Sequence, residues 1–401
     1  MKAFRERWLA PPEPDYAAAG DLLRVICIFM VGWFHIWQQS WLSPALKLAG
    51  RWLDFTPYVR TGYMFVDMML VLSGFLCYLP YACGRERPAG EFFLRRALRI
   101  LPSYWLSLLV MLAFGLLEPG ATDIPRLWLD FLAHLGFVQN LWGFSYVATR
   151  MNVVLWTLAV EVQFYLLVPA LAPAFRRRPL AVYAAMTGVG LSAMLLWTAP
   201  MQDTTLFVNR LPNMLVVYAN GMLAAHAYAR LCGMERHRAK VALAGLALAA
   251  TAVWAAALIL YRQSYASGYD ALRLGQLRWR WLFSLCAAAF LLGGSVTFAP
   301  LRRAFANRGI RFLSGVSFNF YIWHQWLAVK LKQWRIPPYR AAENPNMAGE
   351  MPWQLQYTLL CFFAALALAV VVTCLVEKPC AKLGWKLYEK NLKKRNQAKE
   401  G

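Results

Sequence analysis

Long apolar segments recur along the whole chain, and they restrict its fold more than any other feature of the sequence. Hydrophobic residues make up 60% of the 401 residues and charged residues only 15%, a balance far from that of a soluble domain. About ten segments are apolar over 18 or more residues, long enough for a helix to cross a bilayer. The sequence therefore predicts an all-α, multi-pass integral membrane protein with spans near 21–40, 62–82, 98–117, 154–174, 180–198, 212–230, 239–261, 279–297, 311–332 and 355–376. A shorter, more mixed segment at 127–142 is expected to be re-entrant or interfacial.

The basic residues are distributed unevenly between the two predicted sides of the membrane. Lys and Arg total 42 against 20 Asp and Glu, for a net charge of +22. With a cytosolic N-terminus, the dense basic clusters all fall on the cytosolic side, at 95–99, 176–178, 302–311 and in the tail sequence KNLKKRNQAK. This positive-inside bias predicts that both termini are cytosolic. We attribute the charge to topology and to contact with anionic membrane lipids, and expect no nucleic-acid partner.

The chain is predicted to form one domain, because no Ser/Gly-rich linker leads to a second one. We expect a cytosolic lead over residues 1–20, a transmembrane domain over 21–376 and a basic cytosolic tail over 377–401. Any chemistry would then take place within the membrane bundle. The eight cysteines form no CxxC pair and no spaced Cys/His set, so no metal site is predicted.

Ionisable side chains inside a membrane bundle are costly and usually face its interior, so they are candidates for a functional site. At about 1.5 Å per residue, His35 lies roughly 21 Å from the inner face of its span, and His324 about 20 Å. Glu161 and Asp67 lie roughly 10 and 7 Å below the outer face. Four side chains from four spans are therefore predicted to meet in one layer of the outer half of the bundle.

Arg24 lies at a different depth from this layer. It is near the cytosolic end of the first span, about 16 Å below His35. Eleven residues at about 100° each return to within about 20° of the same helix face. One helix is therefore predicted to present a guanidinium low and an imidazole high on a single stripe, an arrangement that suits a long ligand.

Each of these residues also has a purely structural interpretation. Arg24 is long enough to reach lipid phosphates from its position. His324 is also interpretable as a hydrogen-bonded packing residue, Asp67 as the partner of an arginine, and Glu161 as a hydrogen-bond partner of a neighbouring span. From the sequence alone, these alternatives stay open.

Six motifs, in order along the chain, resemble those of the acyltransferase-3 family of integral membrane acyltransferases. The first is an arginine followed by ten residues and a histidine, Arg24 and His35. The resemblance runs from Asp21 to about Leu383 and is to the stand-alone form, without an appended SGNH-type domain. The other motifs are FVDMMLVLSGFL with Ser73, Gly74 and Phe75, FFLRRALRILPSYW with Arg95, Arg96 and Arg99, WTLAVEVQFYLLVP with Trp156, Glu161 and Tyr165, SFNFYIWH with Tyr321 and His324, and VEKP.

The resemblance implies that acyl-CoA is the co-substrate and binds from the cytosolic side. Guanidinium groups make charge-assisted, bidentate contacts to phosphate, so the inner-face cations are expected to hold the CoA phosphates. These residues are Arg95, Arg96 and Arg99, with Arg24 deeper in the entrance. The residues expected to line the pantetheine arm are Ser73, Gly74 and Phe75.

The resemblance also implies catalytic roles for the buried layer. His35 is expected to act as general base on the acceptor hydroxyl, since imidazole titrates near working pH, and a transient acyl-histidine is the open alternative. Glu161 or Asp67 is expected to orient this imidazole, and His324 or Tyr321 to steady the developing oxyanion. The residues expected to contact substrate are Trp156, Tyr165 and Tyr321.

The resulting hypothesis is a membrane O-acyltransferase of the bacterial inner membrane. It would move an acyl group, with acetyl as the first expectation, from cytosolic acyl-CoA to a hydroxyl of an extracytoplasmic or lipid-linked carbohydrate. Departures from the family motifs at Met68, Met69 and Thr157 leave the size of the acyl group open. The alternative is a polysaccharide or lipid exporter that uses the intramembrane charges without acyl transfer.

Overall fold

Helices make up nearly all of the regular structure in the computed structural model, which describes residues 7–86, 88–118, 123–339 and 344–400. We label them α1 (Ala18–Ser40), α2 (Thr56–Arg60), α3 (Phe65–Ala82), α4 (Ala89–Leu117), α5 (Ile124–Leu135), α6 (Gly143–Tyr146), α7 (Trp156–Arg177), α8 (Pro179–Ser192), α9 (Leu211–Cys232), α10 (Arg238–Ser264), α11 (Tyr269–Val296), α12 (Ala299–Phe305), α13 (Arg308–Gln333), α14 (Met351–Val372) and α15 (Lys378–Glu400). Short 3-10 segments lie at Gly62–Met64, Gln139–Leu141, Val153–Leu155 and Glu235–His237. Segments of π-helix extend α8 over Ala193–Thr198 and α14 over Thr373–Glu377.

Eight helical segments of the described residues are long and apolar enough to cross a membrane. The chain is therefore an all-α membrane protein, as predicted. Two more of the predicted spans correspond to helices α9 and α13, which have 22 and 26 residues. They are not among the eight, because polar side chains such as Asn220 in α9 and Arg311 in α13 lower their mean hydropathy. The total of ten spans stays a prediction. The eight are Ala18–Ser40, Gly62–Ala82, Ala89–Leu117, Val153–Arg177, Pro179–Thr198, Glu235–Ser264, Asp270–Val296 and Met351–Leu392.

The segment predicted to be re-entrant or interfacial forms the 12-residue helix α5. The side chain of Asp123 caps its first turn by accepting a hydrogen bond from the backbone N–H of Arg126. At about 1.5 Å per residue, α5 is about 18 Å long, well short of the hydrocarbon thickness of about 30 Å. Its length agrees with the prediction that this segment does not span.

Helix α3 lies in the interior of the bundle, with most of its side chains buried. It packs against α9 through two glycines. A Cβ on Gly74 would lie 2.6 Å from the carbonyl oxygen of Tyr218, and one on Gly221 would lie 2.1 Å from that of Val71. The two backbones can approach this closely only because neither position carries a side chain, a common device between membrane helices.

One end of the bundle carries the basic clusters that the sequence assigns to the cytosol. We call it the basic end; it holds the first turns of α1, α4 and α13 and the last turns of α3 and α7. Two of these clusters contact neighbouring segments of the chain. Arg176 Nη1 lies 2.5 Å from Glu86 Oε1, and Arg303 Nη2 donates to the backbone oxygen of Arg7 at 2.8 Å. That this end faces the cytosol stays a prediction.

The opposite end of the bundle carries a small β-hairpin, and we call it the hairpin end. Strands β1 (Ala45–Leu48) and β2 (Arg51–Asp54) pair in antiparallel fashion, with Ala45 opposite Asp54. Gly50 adopts a φ of 80°, the left-handed conformation that lets the chain reverse between the strands. The hairpin connects α1 to α2 and is exposed along its whole length.

The contact between α3 and α9 should not tolerate a methyl group. Gly221→Ala places a Cβ against a backbone oxygen that cannot move aside, so we expect a loss of about 1–3 kcal/mol in stability. The melting temperature of the purified protein in detergent measures this loss. Gly188→Ala in α8 is the matched control, because no atom lies within 4 Å of a Cβ there. Equal melting temperatures for the two variants would contradict the role of Gly221.

Candidate active site

Two histidines, one from α1 and one from α13, are in direct contact inside the bundle. His35 Nδ1 lies 2.8 Å from His324 Nε2, and the ring centroids are 5.0 Å apart. His324 is 1% exposed and His35 is half-buried. Gly32, one turn before His35, makes this approach possible, because a Cβ there would lie 2.7 Å from the ring of Phe320. The prediction that these histidines share one layer is confirmed.

Backbone carbonyls fix the tautomer of His324. Its Nδ1 lies 2.8 Å from the carbonyl oxygen of Tyr321 and 3.2 Å from that of Phe320. Because these oxygens only accept hydrogen bonds, Nδ1 carries the proton of the neutral ring. His324 Nε2 is then an acceptor, and His35 Nδ1 donates to it. The Nε2 of His35 is left without a proton, the state that a general base requires.

Helices α1 and α13 are also in contact nearer the basic end. Arg24 Nη1 donates to Ser314 Oγ at 3.1 Å, and Ser314 Oγ donates to Asp21 Oδ1 at 2.6 Å. Arg24 and His35 are eleven residues apart on α1, while their partners on α13 are ten apart, so the two helices run side by side in the same direction. The side chains of Arg24 and His35 both face α13. This confirms the predicted stripe of guanidinium and imidazole on one face of α1.

Glu161 of α7 has hydrogen-bond partners other than the histidines. Its Oε1 accepts from Ser73 Oγ at 2.7 Å and also from the hydroxyl of Tyr165. The guanidinium of Arg96 lies 5.0 Å from the centre of the Tyr165 ring. The hydrogen-bond interpretation of Glu161 is confirmed. No described contact joins it to His35, so the expectation that it orients the imidazole is not met.

Asp67 of α3 pairs with an arginine of α11. Arg280 Nε lies 3.2 Å from Asp67 Oδ2, and both side chains are 0% exposed. The other nitrogens of Arg280 donate to the carbonyl oxygen of Val208 at 2.6 Å and to Asn209 Oδ1 at 2.9 Å. A carboxylate in an apolar bundle is stabilised by the nearest cation. The alternative interpretation, pairing with an arginine, is confirmed, and no described contact links Asp67 to His35.

Three cavities among the described residues meet near Arg99 at the basic end. The widest, of about 660 Å³, is also lined by Arg24 and Arg311. A second, of about 310 Å³, is lined by Arg95 and Arg96. The third is narrow, about 90 Å³, and runs between the helices. All four arginines predicted to bind phosphate therefore line this group of cavities, which we call the basic cavities.

Tyr321 is one of the residues that line the narrow basic cavity. The cavity is also lined by Arg24, Ser73, Glu161 and Thr157, and Thr157 Oγ1 lies 2.9 Å from the hydroxyl of Tyr321. The ring of Tyr321 is 5.6 Å from that of His324. Neither histidine is among the described residues that line the cavity. Tyr321 therefore lines the narrow basic cavity and also neighbours the histidine pair.

Only the first residue of the predicted stretch at 73–75 faces a cavity. Ser73 lines the narrow basic cavity, whereas Gly74 packs against the backbone of Tyr218 in α9. Phe75 is fully buried, with its ring centroid 5.8 Å from that of Tyr228, also in α9. The expectation that Gly74 and Phe75 line the pantetheine arm is wrong in this structure, because consecutive residues of a helix point about 100° apart.

The residues predicted to contact substrate are in different places. Tyr165 and Tyr321 line the narrow basic cavity. Trp156 is half-buried, and its ring centroid is 6.2 Å from that of Tyr146. It lies on the first turn of α7, and it is absent from the lining of the basic cavities as far as the structure describes the chain.

Two partners in this site are absent from the sequence-based prediction. Ser314 bonds Arg24, and Arg280 bonds Asp67. Arg280 had a signal in the sequence, since it is an arginine inside a predicted span and such residues usually have a partner. Ser314 had no such signal in the sequence, because burying a serine in a membrane helix costs little free energy. Clusters of three or more potential metal ligands are not found among the described residues.

Comparison with known families supports the resemblance seen in the motifs. A family model described as an acyltransferase domain matches residues 18–376. The chain belongs to the acyltransferase-3 family. The histidine pair, Arg24 and the three arginines of α4 all lie within the region that matches this family model. No solved structure shows a significant match.

Similar proteins of this family match only part of the chain. Nodulation protein 10 of Rhizobium leguminosarum bv. viciae is 30% identical over 189 residues, 42% of this chain and 48% of its own length. O-acetyltransferase OatA of Staphylococcus aureus strain NCTC 8325 is 28% identical over 39% of this chain and 24% of its own. Peptidoglycan O-acetyltransferase OatA of Listeria monocytogenes serovar 1/2a is 24% identical over 44% and 28%. The chain thus matches half or less of the length of each relative.

Removing Arg280 should destabilise the fold. Arg280→Ala leaves the carboxylate of Asp67 buried without its cation, an expected loss of about 3–5 kcal/mol. The melting temperature in detergent measures it, and Arg278→Ala, at an exposed position of the same helix, is the control. Adding Asp67→Asn to Arg280→Ala should restore part of the loss, since no buried charge remains. If Arg280→Ala melts at the same temperature as the control, the pair does not stabilise the bundle.

Proposed function

We propose that this protein is an O-acyltransferase of the bacterial inner membrane. It transfers an acyl group, acetyl as the first expectation, from cytosolic acyl-CoA to a hydroxyl of an extracytoplasmic or lipid-linked carbohydrate. The observation that carries the proposal is the His35–His324 pair, in which one imidazole fixes the proton of the other. Family membership supports acyl transfer over export. Two of the similar proteins are named O-acetyltransferases.

The basic cavities fit a coenzyme with several phosphates. Arg24, Arg96 and Arg99 line the narrow cavity, and the wider cavities of about 660 and 310 Å³ open beside Arg99. The wider cavities would hold the nucleotide and its phosphates, and the narrow one would hold the linear pantetheine arm. Arg95 lies at the rim, where it pairs with Glu91 at 2.8 Å. Charge-assisted hydrogen bonds from guanidinium to phosphate supply the affinity.

His35 acts as general base in the proposed reaction. Acyl-CoA supplies the acyl group as a thioester and leaves as the free thiol. Nε2 of His35 takes the proton of the acceptor hydroxyl as its oxygen forms the ester bond to the acyl carbon, and returns that proton to the sulfur as the carbon–sulfur bond breaks. His324 holds the imidazole in place through its Nε2 and stabilises the proton on His35 Nδ1. A transient acyl-histidine stays the alternative.

The proposal includes a movement of Tyr321. This side chain lines the narrow basic cavity, and its ring is 5.6 Å from that of His324. It is held by Thr157 and by a hydrogen bond to the carbonyl oxygen of Val154 at 3.0 Å. Displacement of the ring would join the cavity to His35. The Tyr321 hydroxyl would then be free to donate to the carbonyl oxygen of the thioester.

The direct test uses purified protein, radiolabelled acetyl-CoA and surface glycans extracted from a strain that lacks the protein. Label is expected on the glycan. If glycan stays unlabelled while the protein moves glycan or lipid across vesicle membranes, the exporter is the correct interpretation. Mass spectrometry of the labelled glycan identifies the acyl group and the acceptor position.

His35→Ala is expected to lower the turnover number by about 10²–10⁴-fold, the usual contribution of a general base. His324→Gln keeps an acceptor toward His35 and should retain more activity than His324→Leu, which does not. Initial rates at saturating acetyl-CoA measure both effects. His226→Ala is the control, because His226 bonds Tyr78 in another part of the bundle. Full activity of His35→Ala would exclude the imidazole as base.

Arg24→Ala should raise the acetyl-CoA concentration needed for half-maximal rate by about 10–100-fold with little change in turnover, since a charged hydrogen bond contributes about 1.5–3 kcal/mol. For Arg24→Lys this acetyl-CoA concentration should lie between those of the unchanged protein and Arg24→Ala, because lysine keeps the charge without the bidentate geometry. The control is Arg178→Ala, an exposed arginine of the basic end outside the basic cavities. An unchanged acetyl-CoA dependence would rule out a phosphate-binding role for Arg24.

A further inference from the structure

A separate cavity of about 350 Å³ lies at the hairpin end of the bundle. Its volume falls within the range of small-molecule sites, about 300–1,000 Å³. The basic cavities share none of its described lining residues. We call it the hairpin-end cavity; the lining residues that matter here are Phe34, Gln38, Tyr63, Asn209, Gln263 and Gln276.

The hairpin-end cavity is lined by near neighbours of His35 along α1. Phe34 precedes His35 on α1 and lines the cavity, and the two ring centroids are 5.2 Å apart. Gln38 lines it one helical turn above His35, about 4.5 Å further along the helix axis. The narrow basic cavity is lined by Tyr321, whose ring is 5.6 Å from that of His324. Neither histidine is among the described residues that line the hairpin-end cavity. Along α1, His35 lies between Arg24, which lines the basic cavities, and Gln38, which lines the hairpin-end cavity.

Buried amides supply the polar part of this cavity. Gln263 is 2% exposed, and its Nε2 donates to the hydroxyl of Tyr63 at 2.8 Å and to the carbonyl oxygen of Leu272 at 3.0 Å. Asn209 Nδ2 donates to the hydroxyl of Tyr146 at 3.0 Å. These contacts hold the amide and phenol groups in fixed positions around the cavity.

Gln276 differs from these amides, because it has no partner within the part of the chain that the structure describes. Its side chain is 8% exposed and lines the hairpin-end cavity. Its amide nitrogen and oxygen are not among the fully buried polar atoms that lack a partner, so both atoms are accessible from the cavity. Its donors and acceptor are therefore available to a ligand that enters the cavity.

Aromatic rings form the apolar part of the same cavity. The ring centroid of Phe34 is 5.3 Å from that of Tyr63 and 6.5 Å from that of Trp37, and all three residues line the cavity. A sugar ring has the matching chemistry. Its C–H face packs on aromatic rings, and each hydroxyl both donates and accepts hydrogen bonds, as an amide does.

We propose that the hairpin-end cavity binds the sugar ring that carries the acceptor hydroxyl. Gln276 and Gln38 bond its hydroxyls, the ring of Phe34 packs on its face, and one hydroxyl points toward His35 Nε2. This inference rests on the proposed function and names where its second substrate binds. It assigns the two substrates to different cavities, the coenzyme to the basic cavities and the acceptor to the hairpin-end cavity.

The test measures the dependence of the rate on acceptor for Gln276→Ala in the full-length purified protein. The probes are radiolabelled acetyl-CoA and surface glycans extracted from a strain without the protein. We expect the glycan concentration at half-maximal rate to rise about tenfold, as for the loss of one or two hydrogen bonds. The acetyl-CoA concentration at half-maximal rate should not change.

Two further variants keep the test decisive. Gln354→Ala in α14 is the matched control, since Gln354 is also buried, at 6% exposed, and lies outside the cavity. Gln38→Ala replaces an exposed lining residue, so it can be measured even where Gln276→Ala fails to fold. It should also raise the glycan requirement.

The outcomes separate this inference from the function on which it rests. Absence of transfer by the unchanged protein would overturn both. Transfer by the unchanged protein with the same glycan dependence in Gln38→Ala, and in Gln276→Ala when it folds, would overturn the hairpin-end cavity as acceptor site and leave the acyltransferase intact. An equal rise in the glycan requirement for Gln354→Ala would also overturn it.

Discussion

A polar side chain buried in a membrane bundle must find its partner within the protein, because lipid tails offer none. Nearly every buried charge described here follows this constraint. Arg280 is surrounded by a carboxylate, an amide and a carbonyl oxygen, and Glu161 accepts from two hydroxyls. Asn220 of α9 bonds Ser284 of α11 at 2.8 Å and accepts from Tyr183 of α8 at 2.9 Å. These contacts join helices that apolar packing alone would leave free to slide.

The histidine pair is the most informative result of this constraint. In water an imidazole would exchange freely between tautomers, but the carbonyl oxygens of Tyr321 and Phe320 leave His324 one arrangement. His35 then adopts the complementary tautomer, with its proton on Nδ1. This logic parallels that of a catalytic triad, with a neutral imidazole in the place of the carboxylate. With the basic cavities at one end of the bundle and the hairpin-end cavity at the other, the bundle suits a reaction between substrates that arrive from opposite ends.

Much of this was predictable from the sequence, and the errors share one physical origin. Counting residues gives the depth of a side chain in its span, and on this basis His35 and His324 were correctly assigned to one layer. Depth does not give the direction in which a side chain points or the identity of the neighbouring helix. Asp67 therefore pairs with Arg280 and Glu161 with Ser73, although both were expected near His35. Arg24 was predicted correctly relative to His35 because a single helix relates the two.

The sequence by itself determined the all-α membrane class, the family and the set of polar residues inside the bundle, because apolar run length and motif order are properties of the chain. Only the tertiary structure decided which polar groups meet. Ser73, Gly74 and Phe75 are consecutive, yet Ser73 faces a cavity while the other two pack on α9. That separation depends on which neighbour each face of α3 contacts, and the close approach permitted by Gly74 and Gly221 sets that contact.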